Sequence, residues 1–155
     1  MARRAALPLL LALAGCGYTV ANGRALKGDV RRVYARPFAN FSSDPSLGVE
    51  LTAALRREPQ RRGADASEGA PGVIDGEVRT VASGPALPAG EGLAVTLLVK
   101  ARLAVDGKPV AEKTLRLGAD YLAGADALES EARRAQALQR LAADAARDVI
   151  AAFEE

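Results

Sequence analysis

The sequence contains no histidine, no tryptophan and a single cysteine, Cys16. Without histidine it lacks the usual general base of catalysis near neutral pH, and one cysteine cannot close an internal disulfide. Zinc sites of the usual ligand types and thiol catalysis assisted by histidine are excluded for the same reason, and we expect no metal and no cofactor. Only an acid–base site built from carboxylates remains open, since the chain has 19 aspartates and glutamates.

The sequence also has little net charge and few aromatic residues. The formal charge of +2 is due entirely to Arg3 and Arg4, so the chain from residue 16 onward is electrically balanced. A general affinity for nucleic acid is therefore not expected. Aromatic residues make up 4% and apolar residues 49% of the chain, which predicts a globular core of small and branched aliphatic side chains.

The start of the chain has the layout of an export signal. Arg3 and Arg4 form a short basic segment, and residues 5–14 are mostly apolar. This apolar run is too short to remain in a bilayer as a membrane-spanning helix.

The signal ends in Leu13-Ala14-Gly15-Cys16, which resembles the bacterial lipoprotein box, where the cysteine is lipidated and the chain is cut before it. The resemblance implies a signal peptide over residues 1–15, lipidation at Cys16 and a membrane anchor. We expect residues 16–28 to form a tether and residues 29–155 a single domain. The residue after the cysteine is Gly17 rather than aspartate. By the sorting rule known for enterobacterial lipoproteins, this favours the outer membrane over retention in the inner membrane. An ordinary hydrophobic start with a chance cysteine is the alternative.

A strict period of two gives the clearest structural signal in the chain. From 93 to 105 every odd position is apolar, whereas the even positions include Thr96, Lys100 and Arg102. This predicts a long strand over residues 93–106 with one face on a core. Asp106-Gly107 then favours a tight turn, and the returning strand is expected to run from Pro109 to about residue 117.

The end of the chain predicts a long amphipathic helix. Asp126 suits the N-cap, and Glu129 completes a capping box. The expected apolar stripe consists of Leu128, Ala132, Ala135, Leu138, Ala142, Ala145, Val149, Ile150 and Phe153. Packing on the sheet is the interpretation we favour; a partner-binding or membrane face is the alternative.

The first half of the domain predicts a strand over residues 30–38, a turn over 39–43 and a helix beginning after Asp44-Pro45. Pro59 should end or kink this helix near Arg57, because proline removes a helical hydrogen bond. A further strand is expected over residues 73–81, followed by a Gly/Pro-rich turn over 82–92.

These elements predict an α+β fold, a two-layer sandwich in which two helices pack on one face of a mixed four-stranded sheet, in the order β-α-β-β-β-α. The first two strands should be parallel, since a helix connects them. The remaining strands should pair as an antiparallel hairpin.

Four segments, taken in order, resemble the lipopolysaccharide-assembly lipoprotein family. They are Cys16-Gly17-Tyr18, Pro37-Phe38-Ala39-Asn40, the helix run over residues 50–58 and Asp75-Gly76-Glu77-Val78. The resemblance implies a non-enzymatic outer-membrane lipoprotein that plugs and helps assemble the β-barrel lipopolysaccharide translocon. It implies the barrel as a partner, with lipopolysaccharide itself as a second one. A lipoprotein that scaffolds or activates a secretion pore or a cell-wall synthase is the alternative.

Three groups of residues are candidate sites. Lipid phosphates could pair with the basic residues of the hairpin, although a solvated sheet face explains them as well: Lys100, Arg102, Lys108, Lys113 and Arg116. Arginines near the end of the first helix suit the helix dipole or, alternatively, an anionic ligand: Arg56, Arg57, Arg61 and Arg62. Asp75 and Glu77, which should share one strand face, are candidate carboxylates for catalysis, although an exposed sheet explains their spacing as well.

Overall fold

The computed structural model describes residues 25–61, 67–85 and 92–154. Its elements are β1 (Val33–Ala35), β2 (Ala39–Asn40), α1 (Leu47–Arg61), β3 (Gly72–Pro85), β4 (Gly92–Val105), β5 (Lys108–Leu122) and α2 (Ala127–Glu154). Two helices cover one face of a mixed sheet, which confirms the expected α+β two-layer fold. Within these residues the sheet has five strands rather than the expected four. The signal peptide and Cys16 lie outside the described residues.

The sheet order is β1-β3-β4-β5, with β2 also paired to β3. Both β1 and β2 run parallel to β3, as expected for strands that a helix connects. The long strands β3, β4 and β5 follow one another in antiparallel pairs. The sheet therefore ends in two short strands on one side and in the 15-residue β5 on the other.

The predicted first strand over residues 30–38 is wrong in its extent. Only Val33–Ala35 pairs with β3, and the chain then leaves the ladder at Pro37, which has no N–H to donate. It returns as β2, where Ala39 and Asn40 lie opposite Glu77 and Val78, so the turn expected over residues 39–43 begins later.

The β4 prediction is confirmed. Its odd residues from 95 to 103 are fully buried beneath the helices. The chain reverses at Asp106 (φ 49°) and Gly107 (φ 78°), as the sequence predicted. Both neighbouring strands are longer than expected: β3 passes through a bulge between Thr80 and Ala82, and β5 continues to Leu122.

Helix α1 continues through Pro59 to Arg61, so the expected end near Arg57 is wrong. Pro59 lies in the last turn, where it removes one helical hydrogen bond and only two residues follow it in the helix. Its ring is buried. This burial offsets the lost bond.

Helix α2 begins as predicted but buries a shorter stripe. The Asp126 carboxylate accepts the Glu129 N–H at 2.8 Å, and the Glu129 carboxylate accepts the Ala125 N–H at 2.7 Å. Burial starts only at Ala137, and Leu128, expected in the stripe, is 82% exposed. The first turns of α2 therefore extend beyond the core that the rest of the helix covers. Ala132 is also exposed.

Just before the expected domain boundary, the chain is already held by the domain. Leu26 is buried, and the Lys27 N–H donates to the Phe153 carbonyl at 2.7 Å. Among the described helices, none combines the length and apolar character needed to span a membrane.

Candidate functional site

The face of the sheet opposite the helices carries most of the sheet's charged side chains, and we call it the open face. Strand register places Asp75 beside Arg102, and Glu77 beside Lys100, on this face. The open face consists of Asp75, Glu77, Arg79, Leu98, Lys100, Arg102, Glu112, Thr114, Arg116 and Asp120. It lies on the side of the sheet opposite the buried odd residues of β4, because successive side chains of a strand point to opposite faces.

Ion pairs join the three long strands across the open face. Both Nε and an Nη of Arg102 donate to one Asp75 oxygen, at 3.0 and 2.9 Å. The Lys100 ammonium lies 3.1 Å from the Glu112 carboxylate. Each exposed cross-strand pair contributes at most about 1 kcal/mol, so their main consequence is a face whose charges are already neutralised.

A shallow depression of about 460 Å³ opens on this face beside the break between β1 and β2. Phe41, which is 62% exposed, forms one wall, and the Arg79 guanidinium lies 5.5 Å from the centre of its ring. The charged lining residues are Arg36, Asp75, Glu77, Lys100, Arg102 and Glu112. Acidic and basic groups are equal in number here, which suits a polar protein surface better than a polyanion.

The five basic residues of the hairpin do not form one cluster. Lys100, Arg102 and Arg116 lie on the open face, whereas Lys113 lies opposite the buried Ala101 and hence on the helix side of β5. Lys108 lies opposite Val105, also on the helix side. Lys100 and Arg102 are paired with carboxylates. Lys108, Lys113 and Arg116 have no ion pair with any described residue.

The two carboxylates considered for catalysis do share the open face, but each is held by an arginine. Asp75 accepts from Arg102, and Glu77 lies 2.7 Å from Arg79. Within residues 25–61, 67–85 and 92–154, no group of three or more candidate ligands could hold a metal ion.

The arginines of α1 mostly contact their own domain. Arg56 Nε donates to the Ala35 carbonyl at 2.9 Å, and its guanidinium lies 5.0 Å from the centre of the Tyr34 ring. Arg57 donates to the Ala53 carbonyl, and Arg61 lies 3.8 Å from Glu58. Arg62 lies outside the described residues. A groove of about 740 Å³ runs beside these residues, between α1 and the β1–β2 edge.

Sequence reasoning missed the part of the depression formed by Arg36, Pro37 and Phe41. These residues come together because the chain leaves the sheet at Pro37 and rejoins it as β2. Pro37 was a usable signal, since proline interrupts a strand ladder. The return of the chain to the same neighbouring strand has no comparable local signal.

The comparisons with known proteins agree on the fold and identify a family. The family model described as LptE, lipopolysaccharide-assembly, matches residues 30–153. A search of curated proteins finds no match to the sequence. Among solved structures, a putative lipoprotein from Caulobacter crescentus CB15 has a TM-score of 0.57 at 15% identity, covering 76% of this chain and 88% of its own.

Two further structures have similar scores. Rare lipoprotein B from Shewanella oneidensis has a TM-score of 0.53 at 18% identity, covering 74% of this chain and 91% of its own. A minor lipoprotein from Acinetobacter baumannii has a TM-score of 0.51 at 14% identity, covering 81% and 92%. At these identities the likeness shows the fold alone. The family model spans nearly all of the described domain, and the chain therefore belongs to the LptE family of lipopolysaccharide-assembly lipoproteins.

Proposed function

We propose that this lipoprotein is tethered by lipid at Cys16 to the outer membrane and plugs a β-barrel translocon, helping to insert lipopolysaccharide into the outer leaflet. Family membership supports a role in lipopolysaccharide assembly. The observation that carries the plug is the open face, a broad sheet surface whose charges are largely paired with one another. The role is structural in this proposal, because the candidate carboxylates are held by arginines.

The physics of a barrel lumen suits this surface. The lumens of outer-membrane barrels are polar, so a plug needs a polar exterior. Burying an unpaired charge would be costly, whereas the Asp75–Arg102 and Lys100–Glu112 pairs would enter the lumen already neutralised. We place the main barrel contact at the open face, beside Phe41, which is 62% exposed.

A photo-crosslinking amino acid at position 41 tests the plug. The replaced Phe41 is aromatic and 62% exposed, so a bulky aromatic label should be accommodated there. Irradiated cells should yield one adduct with a large outer-membrane barrel. An adduct with a secretion pore or a peptidoglycan synthase would instead support the alternative scaffold, and would contradict the plug.

A matched pair of charge reversals tests the face that makes the contact. Arg102→Glu places two like charges side by side on the open face, and should lower recovery of the detergent-resistant barrel complex. Arg140→Glu, at an exposed residue of α2 with no ion pair among the described residues, should leave recovery unchanged. Equal effects of the two variants would contradict contact through the open face. Thermal melting should show both variants folded.

Depletion of the protein tests its cellular role. We expect higher outer-membrane permeability and less lipopolysaccharide at the cell surface. Normal lipopolysaccharide display after depletion would contradict the assigned role.

We further propose that the basic residues of the hairpin meet lipopolysaccharide phosphates. Lys108 and Lys113 are the best placed of the five, because both are exposed on the same side of β5 and unpaired among the described residues. Lys100 and Arg102 would first have to leave Glu112 and Asp75. Binding of purified lipopolysaccharide should fall for the Lys108→Gln/Lys113→Gln variant and not for Lys100→Gln. The opposite order would contradict this assignment.

A further inference from the structure

The backbone groups at the two edges of the sheet differ in their hydrogen-bond partners. Side chains of α1 occupy the backbone groups of the β1–β2 edge. Arg56 Nε donates to the Ala35 carbonyl at 2.9 Å, and the Thr52 hydroxyl accepts the Phe38 N–H at 3.0 Å. These contacts use groups that an additional strand would need, so this edge is closed to strand addition.

The β5 edge has no such cover. Its only described neighbour in the sheet is β4, and no side chain of the described residues is hydrogen-bonded to the β5 backbone. Its first half carries features that discourage pairing: Pro109, a bulge opposite Leu103 and Ala104, and Lys113. Residues 114–122 contain neither proline nor lysine, so this half of the edge is open to another strand.

Side chains along the open half alternate in a way that complements a reversed copy of itself. Arg116 and Asp120 are exposed on the open face, carry opposite charges and have no ion pair with any described residue. On the helix side, partly buried apolar residues extend the core to the edge: Leu115, Leu117, Ala119 and Tyr121. Gly118 lies at the midpoint of both sets.

We propose that two copies of this chain associate through β5, antiparallel about a two-fold axis at Gly118. Residues whose numbers are symmetric about 118 then lie opposite each other. Arg116 of each copy faces Asp120 of the other, Leu117 faces Ala119, and Leu115 faces Tyr121. The two sheets become one continuous sheet, with all helices on one side, because the two-fold axis is perpendicular to the sheet. The inference goes beyond the proposed barrel contact and does not depend on it: the pairing concerns the chain outside the barrel, because a lumen plugged by one domain has no place for the joined sheet of two.

The charges favour this register over one centred at position 116. If the axis moved to position 116, Arg116 would face its own copy and Glu112 would face Asp120, so like charges would lie opposite one another. An axis at position 114 would bring Pro109 and the bulge into the paired segment. Only the axis at Gly118 pairs the two unpaired charges and keeps the protected half of β5 outside the interface.

A charge exchange tests the pairing. The full lipidated chain is purified in detergent, and its self-association is measured by sedimentation. Arg116→Glu alone, or Asp120→Arg alone, should weaken association about tenfold, since two attractive cross-strand pairs become two repulsive ones. The double variant Arg116→Glu/Asp120→Arg should recover the original affinity. Failure of the double variant to recover it, or a monomeric wild-type chain, would overturn the proposal.

Cysteine crosslinking tests the register. A Cβ at Gly118 would meet only the Thr96 hydroxyl at 3.7 Å and the Val95 carbonyl at 3.9 Å, so Gly118→Cys should fold normally. Residues opposite each other in antiparallel strands have Cα atoms about 4.5–5.5 Å apart, within disulfide range. Mild oxidation should therefore crosslink the 118 variant.

The control is Glu112→Cys, which is exposed on the same strand and should stay uncrosslinked. Because both variants are purified in the same detergent, chance encounters within a micelle would crosslink them equally. Equal yields at 112 and 118, preferential crosslinking of Thr114→Cys, or capture at 118 of a different protein alone would each overturn pairing of two copies about Gly118.

Discussion

Gly76 lies in the middle of β3, where the sheet has no room for a side chain. A Cβ at this position would lie 2.0 Å from the Lys100 carbonyl oxygen and 2.8 Å from the Phe38 ring. The oxygen belongs to the backbone of the adjacent strand, so relief would require the strands to separate. The close approach, rather than an unusual backbone conformation, requires glycine here.

Replacing Gly76 by alanine should therefore destabilise the domain. We expect Gly76→Ala to lower the free energy of unfolding by about 2–3 kcal/mol, the upper range for overpacking. Gly84→Ala in the same strand should be near neutral, because no atom of the described residues lies within 4 Å of a Cβ at that position. Urea unfolding of both variants is the measurement, and similar midpoints would contradict the packing argument.

At the scale of elements, the regular periodicity of the long strand was the most reliable guide. Every odd residue of β4 is apolar, and the structure confirms that those from 95 to 103 form the buried face of the strand. The ends of elements were harder to predict. Pro59 was expected to end or kink α1 near Arg57, but the helix continues to Arg61, and the burial of Pro59 in the last turn offsets the bond it removes. Leu128 matched the helical stripe but lies before the point where α2 meets the core.

The difference between Leu128 and Leu138 gives a matched test on α2. Leu138 is 1% exposed and Leu128 is 82% exposed, although both fall on the predicted stripe. Leu138→Ala should cost about 2–5 kcal/mol of unfolding free energy through lost burial and a residual cavity. Leu128→Ala should change it by less than about 0.5 kcal/mol. Comparable losses would mean that the first turns of α2 are packed.

The start of α2 should also respond to pH. The Ala125 N–H and then the Arg133 guanidinium hold the pKa of Glu129 below its usual value, because both favour the charged carboxylate. A lowered folded-state pKa stabilises the fold above the usual glutamate pKa, about 4.3, and this contribution is lost as the pH falls through the lower folded-state pKa.

Melting temperatures of the wild-type chain and Glu129→Gln should therefore differ most at neutral pH. The gap should narrow as the pH falls below about 4, where the wild-type carboxyl becomes protonated. A gap that stays constant from neutral to acidic pH would show that the Glu129 charge is not what stabilises the cap.

For the whole molecule, the sequence predicted the architecture and the family but not the arrangement of the site. The balanced charge of the domain and the alternating β4 indicated a polar sheet face. Which charges meet across strands depends on strand register, which places Arg102 beside Asp75 and Lys100 beside Glu77. A bulge or a one-residue shift reverses the face of every following side chain, so no spacing within a single strand could supply this information.

The anchor is the largest-scale prediction, since it decides where the domain works. Cys16→Ser should abolish fatty-acid incorporation, because the acyl chains attach through the cysteine. Each buried methylene contributes about 0.8 kcal/mol to membrane affinity, so stable anchoring needs more than one acyl chain. Gly17→Asp serves as the control, since it leaves the lipidation site intact. It should stay lipidated but shift from outer-membrane to inner-membrane fractions where the enterobacterial sorting rule applies. Mass spectrometry of the N-terminal peptide, together with membrane fractionation, separates the two effects. An acylated Cys16→Ser chain would contradict lipidation at Cys16.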